Sequence, residues 1–398
     1  MTKKVYPYSR YSHLFLASVI CLCCSEYAVA QHEHTVFSSN LMIEAKVHYG
    51  FLYAHHLELY QYSAHFPAYE ISIQKITYGK NKWERSFNYP SIGLTFFYCG
   101  LGYNPGLGQV FALMPLINFP LFKTRGFTLG FRFALGVGYL TKRFDRINNY
   151  KNLAIGSHFN AAINLMLEAR FRINKSITIS AGFSLQHFSN GSLKLPNNGV
   201  NTPLVNLGIA YRPFGENKNL TDRFYAPTEP YAATLQRSLM LDFGLSLAWK
   251  NLKAVVGENY LVYHFYENTF VRITKKSQFG IGLDLSYDLS QRKLYELYYI
   301  DENNTPDTTV TNWKFLNPGI NAAYCLTMGK LGIILNFGYY IHVMKPVKPI
   351  YQKLCVQYNF SKHFFANVML KVVWGRAEYI GWGMGYRFEV LFGRKTVH

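Results

Sequence analysis

Residues 127–139 read FTLGFRFALGVGY, and their side chains alternate between two kinds. The odd positions carry only large apolar residues, and the even positions carry Thr128, Arg132, Ala134 and three glycines. Successive side chains of a β-strand point to opposite faces of the sheet. This period of two therefore predicts a strand with one apolar face and one face of polar or small residues.

The same alternation recurs along most of the chain, for example from Phe159, from Leu239, over 331–341 and over 380–390. The segments are about 10–14 residues long, whereas soluble strands average about 5–6 residues and tilted bilayer-spanning strands need about 9–11. About sixteen segments follow this pattern. No linker rich in Pro and Gly and no internal repeat divides them.

Two architectures use strands of this kind. In a soluble sandwich the apolar faces meet each other, and in a membrane barrel they meet lipid while the polar faces line the lumen. The strand length and the load of 32 Tyr and 31 Phe favour the barrel, because such rings gather at membrane–water interfaces. We predict an all-β fold, a transmembrane antiparallel β-barrel of about 12–16 strands formed by residues 31–398 as one domain.

The first thirty residues have the pattern of a cleaved secretory signal peptide. Lys3, Lys4 and Arg10 form a basic head, residues 14–24 are apolar, and residues 28–30 read AVA, a small-residue cleavage site. An uncleaved anchor is the alternative, but this apolar run is far shorter than the roughly 20 residues that a spanning helix needs. Three cysteines would remain, which we expect to be small buried hydrophobic residues; a bridge between Cys325 and Cys355 stays open.

The formal net charge of +19 implies an anionic partner, either an acidic membrane surface or nucleic acid. The signal peptide and the lack of a nucleic-acid-binding motif argue against nucleic acid. We therefore expect a membrane lipid partner and no nucleic acid, while the oligomeric state stays open.

Candidate catalytic residues cluster at 177–203, which read ITISAGFSLQHFSNGSLKLPNNGVNTP. If the apolar parity of the first strand continues, His187 and Ser189 project from its lipid-facing side, and an imidazole nitrogen can reach the serine hydroxyl. Parity in the following strand puts Asn201 on the same outer side. Polar groups there are costly unless they have a use. The alternative is that H-x-S is incidental and that the loop after it is an ordinary turn.

The stretch HFSNGSLKLPNNGVN at 187–201 resembles the signature of the lipid A 3-O-deacylases of the PagL type. That resemblance implies an outer-membrane barrel with a Ser-His-Glu triad on its outside, which removes an ester-linked (3-hydroxy)acyl chain from lipid A. It makes His187 the general base and Ser189 the nucleophile. Asn201 stands where the family has glutamate. An asparagine can orient an imidazole but cannot stabilise its cation by charge.

The loop supplies candidates for the oxyanion and substrate contacts, namely Asn190, Gly191 and Asn197. The resemblance matches Asn190 and Asn197 to neighbouring asparagines of the family, one of which serves the oxyanion hole. Glu168 is not expected to replace the missing acid, because parity puts it on the lumen side.

Residues 383–388, GMGYRF, resemble the C-terminal ending of the longer acyloxyacyl-hydrolase-type proteins. Taken together, the resemblances imply a hydrolase in the outer membrane of a Gram-negative cell, with lipid A or lipopolysaccharide of the outer leaflet as substrate. No cofactor and no metal are expected. The pairs His32/His34 and His55/His56 fit solvated histidines better than metal ligands.

A non-catalytic channel or binding barrel is the main alternative. Twelve or more strands leave room for solutes, and Arg132, Arg170, Arg172 and Asp284 would line such a lumen. On that interpretation His187 and Ser189 have no catalytic role.

Overall fold

The computed structural model describes residues 40–102, 105–214, 237–252, 257–298, 311–344 and 347–392. The predicted signal peptide, residues 1–30, lies outside the described residues, as do His32 and His34. The described chain is almost entirely antiparallel β-sheet and forms two compact units.

The described residues of the first unit lie within 40–80, 87–190 and 198–214. It contains a closed barrel in which β1 pairs with β8, and a 3-10 helix at Leu57–Tyr62 follows β1. Its strands are β1 (Leu41–Phe51), β2 (His65–Ile76), β3 (Ser91–Cys99), β4 (Val110–Lys123), β5 (Phe127–Leu140), β6 (Phe159–Arg172), β7 (Ile177–Ser189) and β8 (Val200–Tyr211).

The second unit comprises Asn81–Ser86, Gly191–Asn197 and Glu229–His398. It contains a second closed barrel, in which β16 pairs with β9. Its strands are β9 (Arg237–Asn251), β10 (Asn259–Arg272), β11 (Ser277–Asp288), β12 (Leu316–Met328), β13 (Leu331–Tyr340), β14 (Ile350–Asn359), β15 (Phe364–Val373) and β16 (Arg376–Phe392).

Helices are few and short in this unit. They are α1 (Lys82–Ser86), α2 (Leu289–Tyr298) and a 3-10 helix at Asn312–Phe315. Across the ranges that the structure describes, no helix combines the length and the apolar character needed to traverse a membrane.

The antiparallel barrel class and the number of strands are confirmed, but the strands do not form the single barrel that we predicted. The eighth strand returns to the first, with Tyr49 opposite Val205 and Ile43 opposite Tyr211, and a second set of eight closes in the same way. The physical reason is that alternation fixes the faces of a strand but not its partner. A sheet of eight strands already encloses an interior that side chains can fill.

The faces of the strands are arranged inside out relative to a soluble protein. Along β1, Ile43, Val47 and Tyr49 are exposed, whereas Glu44 and Lys46 are buried. The other strands repeat this pattern of exposed apolar and buried polar side chains. Water would penalise such an exterior and lipid would not, so the sandwich alternative does not fit.

A network of charged side chains fills the interior of the first barrel. The Arg132 guanidinium is fully buried and donates to Glu44 at 2.7 Å and to Glu70. Lys46 donates to Glu168 at 2.6 Å and lies 3.0 Å from Glu44. Each buried charge therefore has a counter-charge, which a low-dielectric interior requires.

The second barrel encloses a network of its own around Asp284. This carboxylate accepts hydrogen bonds from His264 at 2.9 Å, Asn321 at 2.8 Å and Tyr351 at 2.5 Å, and it pairs with Lys353. The residues predicted to line one lumen therefore belong to two. Arg132 and Arg170 lie in the first and Asp284 in the second.

The motif at 383–388 lies on β16, where the second barrel closes against β9. Arg387 stands opposite Asp242 in the register and binds its carboxylate through two nitrogens, each at 2.6 Å. This bidentate pair fastens the last strand to the first strand of its barrel.

The three described cysteines, Cys99, Cys325 and Cys355, are free and buried. They serve as small apolar residues, and the Cys325–Cys355 bridge left open by the sequence is not formed.

Candidate active site

The hairpin of β7 and β8 places the predicted residues at one end of the first barrel. His187 lies directly opposite Asn201 in the strand register. Phe188, between His187 and Ser189, is fully buried in the barrel core. Because side chains alternate along a strand, His187 and Ser189 point away from that core at the end of β7, where His187 is half-buried and Ser189 is buried.

A short hydrogen bond joins the predicted base to the residue at the acid position. His187 Nδ1 lies 2.6 Å from Asn201 Oδ1, and since an amide oxygen can only accept, the ring donates its Nδ1 proton. The remaining ring nitrogen, Nε2, then carries a lone pair. That is the tautomer in which an imidazole can take a proton from a serine hydroxyl.

His55 is a member of this cluster that the sequence did not indicate as functional. It lies just beyond β1, whose extension is held to β8 by a hydrogen bond of 2.9 Å from the Tyr53 N–H to the Asn201 carbonyl. Asn201 Nδ2 lies 3.1 Å from His55 Nδ1, and His55 Nε2 lies 2.8 Å from the Asn198 carbonyl oxygen. The histidine pair at 55–56 was visible in the sequence, but the pairing of β1 with β8 was not.

The predicted oxyanion residues are distributed differently. Asn190 is buried in the first unit, and its amide nitrogen donates to Ser157 Oγ at 2.8 Å, which fixes the orientation of the amide. Gly191 and Asn197 belong to the segment Gly191–Asn197, which is grouped with the second unit. Gly191 has a φ of +60°, a conformation that glycine adopts without strain. Hydrogen bonds within the first unit thus bring together His187, Asn201 and His55.

Gly199 lies close to the His187 ring. Its φ is +82°, and a Cβ at this position would lie 3.1 Å from His187 Cε1. The Gly199 N–H donates to the Ala154 carbonyl at 2.9 Å, and the Asn198 N–H donates to the Leu153 carbonyl at 3.3 Å. The loop 141–158 between β5 and β6 therefore fixes the backbone behind the imidazole.

The same loop is ordered by a turn at its tip. The Asp145 carboxylate accepts backbone hydrogen bonds from Asn148 and Ile147, and these bonds lower the pKa of Asp145. Glu168 does not reach the site. As parity indicated, it lies in the lumen, bound to Lys46.

Exposed apolar side chains lie beside the cluster on the same two strands, namely Phe183, Leu185, Val205 and Leu207. Within the described residues, no group of three or more His, Cys, Asp or Glu side chains is arranged to hold a metal ion.

Several solved structures match the chain at low similarity, while no curated protein sequence matches it. Neisserial surface protein A is 12% identical with a TM-score of 0.30, over 43% of this chain and 96% of its own. The outer membrane enzyme PagL is 18% identical with a TM-score of 0.30, over 42% of this chain and 97% of its own. Acinetobacter baumannii OccAB4 is 9% identical with a TM-score of 0.23, over 89% and 98%.

Family models match both units. Residues 68–210, which include His187, Ser189 and Asn201, match the family described as lipid A 3-O-deacylase (PagL). Residues 239–390 match the family described as acyloxyacyl hydrolase, C-terminal domain. Together with the inside-out barrels, these matches indicate an outer-membrane protein. The first barrel is thus similar to the lipid A 3-O-deacylase (PagL) family, and the second is similar to the acyloxyacyl hydrolase C-terminal domain.

Proposed function

We propose that this protein is an outer-membrane serine hydrolase that removes an ester-linked 3-hydroxyacyl chain from lipid A or a related glycolipid. The observation that carries the proposal is the bond of 2.6 Å between His187 Nδ1 and Asn201 Oδ1. It lies on the outer face of the barrel, inside the region that matches the deacylase family. It leaves a lone pair on the other imidazole nitrogen, and Ser189 follows two residues later on the same face of β7.

The chemistry follows from these groups. His187 Nε2 takes the proton of Ser189 Oγ, and the oxygen attacks the carbonyl carbon of the ester. The Asn190 or Asn197 amide, with the backbone N–H of Gly191, stabilises the negative oxygen of the tetrahedral intermediate. The bond between the carbonyl carbon and the sugar oxygen breaks, and His187 gives the proton to that oxygen, so that the sugar leaves as an alcohol. Water, activated by the same imidazole, then hydrolyses the acyl-serine and releases the fatty acid.

The position of the cluster suits a substrate that is itself a membrane component. The exposed apolar side chains of β7 and β8 offer a surface along which acyl chains of the outer leaflet can lie. Without residues 1–30 the formal net charge is +17, and this charge attracts the phosphates of lipid A. We place the protein in the outer membrane of a Gram-negative cell, spanning it with the strands of its barrels.

The test is the mass of lipid A from cells that express the wild-type protein or Ser189→Ala. The wild-type protein is expected to remove one hydroxyacyl group, and Ser189→Ala is expected to lower the rate by about 10⁴-fold or more, because no hydroxyl remains to form the acyl-enzyme. His187→Ala is expected to have a similar effect.

Ser63→Ala is the matched control, since Ser63 is an exposed serine of the first unit. It should deacylate like the wild type. Lipid A that keeps all its acyl chains with the wild-type protein, or loses one with Ser189→Ala, would contradict the proposal.

A further inference from the structure

Asn201 has a property that the glutamate of the family lacks, because its two side-chain atoms are not equivalent. With Oδ1 toward His187, the ring carries its proton on Nδ1 and can act as a base through Nε2. With the amide turned over, Nδ2 would face the ring and Nδ1 would have to accept. The proton would then sit on Nε2, and the ring could not take one from Ser189.

The surroundings of His55 decide between these orientations. Its Nε2 lies 2.8 Å from the Asn198 carbonyl oxygen, which can only accept, so Nε2 carries the proton. In the neutral ring Nδ1 is then an acceptor, and the atom 3.1 Å from it must be a donor, which identifies it as the NH₂ of Asn201. The Tyr53 carbonyl also lies near this Nδ1, but at 3.4 Å it is the longest contact and the weakest.

We infer that His55 is a positioning residue for the hydrolysis, a role that rests on the proposed function of the site. Donation runs in a single direction, from the His187 ring to the fixed Asn198 carbonyl. His55 donates to Asn198, Asn201 donates to His55, and His187 donates to Asn201. His55 fixes the Asn201 amide, and that amide holds His187 in the tautomer that can deprotonate Ser189.

This arrangement explains how an asparagine can take the position that a glutamate has in the family. A carboxylate presents an oxygen to the imidazole in either orientation and needs no partner to choose one. An amide needs a second contact that distinguishes its oxygen from its nitrogen, and His55 supplies that contact.

The first measurement is the tautomer of His187, read from ¹⁵N chemical shifts in histidine-labelled full-length protein in detergent micelles. The His187 signal is assigned by its loss in His187→Gln. In the wild type we expect the Nδ1–H tautomer. In His55→Ala we expect a mixture of both tautomers, because the Asn201 amide can then turn over. An unchanged tautomer in His55→Ala would overturn the inference.

The second measurement is lipid A deacylation. His55→Ala is expected to lower kcat about two- to tenfold with little change in KM, the effect of one neutral hydrogen bond. His55→Gln should restore most of the rate, because its amide offers an oxygen to Asn201 and an N–H to Asn198. His65→Ala, an exposed histidine of the same unit, is the matched control and should behave like the wild type.

The decisive variant is Asn201→Asp, which has the same shape but two equivalent oxygens. In that background His55→Ala should change neither the tautomer nor kcat. A loss as large as in the wild-type background would mean that His55 acts in another way. The tautomer is measured without substrate. A failure of the deacylation proposal would therefore not affect the tautomer result, and the two failures can be distinguished.

Discussion

Gly199 meets two constraints at one position. Its φ of +82° lies in the region that glycine adopts freely, and its backbone stands close behind the His187 ring. A methyl group here would strain the backbone and would also press on Cε1 of the imidazole at 3.1 Å. The effects of such a methyl group on stability and on catalysis can therefore be separated. The control is a second glycine with a positive φ whose added methyl group would contact nothing.

Gly199→Ala is expected to destabilise the protein by about 1–2 kcal/mol, the cost of a left-handed L-residue. It is also expected to lower deacylation about ten- to hundredfold, because small displacements of a catalytic group reduce the rate steeply. Urea unfolding and lipid A mass spectra measure the two effects.

Gly375→Ala is the control, with a φ of +75° and open space around the added methyl group. It should show a similar loss of stability and wild-type activity. Equal activity of Gly199→Ala and Gly375→Ala would show that the contact with His187 is unimportant.

The strands of the first barrel are joined inside the lumen as well as along their edges. Arg132 on β5 binds Glu44 on β1 and Glu70 on β2, so one side chain connects three strands. Removing one member of a buried ion network is costly, because the charges that remain lose their partner in a medium that solvates them poorly.

Arg132→Met is expected to lower the free energy of unfolding by about 3–5 kcal/mol, because Glu70 would lose its arginine partner and Glu44 would keep only Lys46 and Arg170. The measurement is urea unfolding followed by far-ultraviolet circular dichroism. Arg146→Met, at an exposed loop position, should leave the midpoint unchanged. If the two variants unfold at the same urea concentration, the network contributes little to stability.

At the scale of the molecule, the described residues form two barrels of eight strands, and that number bears on the channel alternative. An eight-stranded barrel has an interior that its own side chains can occupy. In the described residues, the Arg132 network occupies the first lumen and the Asp284 network the second.

Because of these networks, the purified protein is expected to produce no steady conductance in planar lipid bilayers. A general porin added to the same bilayer serves as the positive control. Stable single-channel currents from the protein alone would favour the channel function.

The sequence by itself determined the elements and the faces of their side chains. In an extended backbone, successive side chains point to opposite faces. The lumen position of Glu168 and the outward positions of His187 and Asn201 therefore followed from counting residues. The apolar exterior followed from the strand length and the content of Tyr and Phe, because alternation by itself fits a soluble sandwich as well. The role of these residues in catalysis stays a prediction, which rests on the motif and which the experiments above test.

The closure into two barrels and the place of His55 were decided only by the tertiary structure. Strand pairing is a non-local choice that alternation does not encode, and a sixteen-stranded sheet and two eight-stranded sheets share the same pattern. His55 and Asn201 are 146 residues apart in the chain, and they meet because the first and eighth strands close the barrel. No local sequence pattern predicts that contact, because it forms only when the eighth strand pairs with the first.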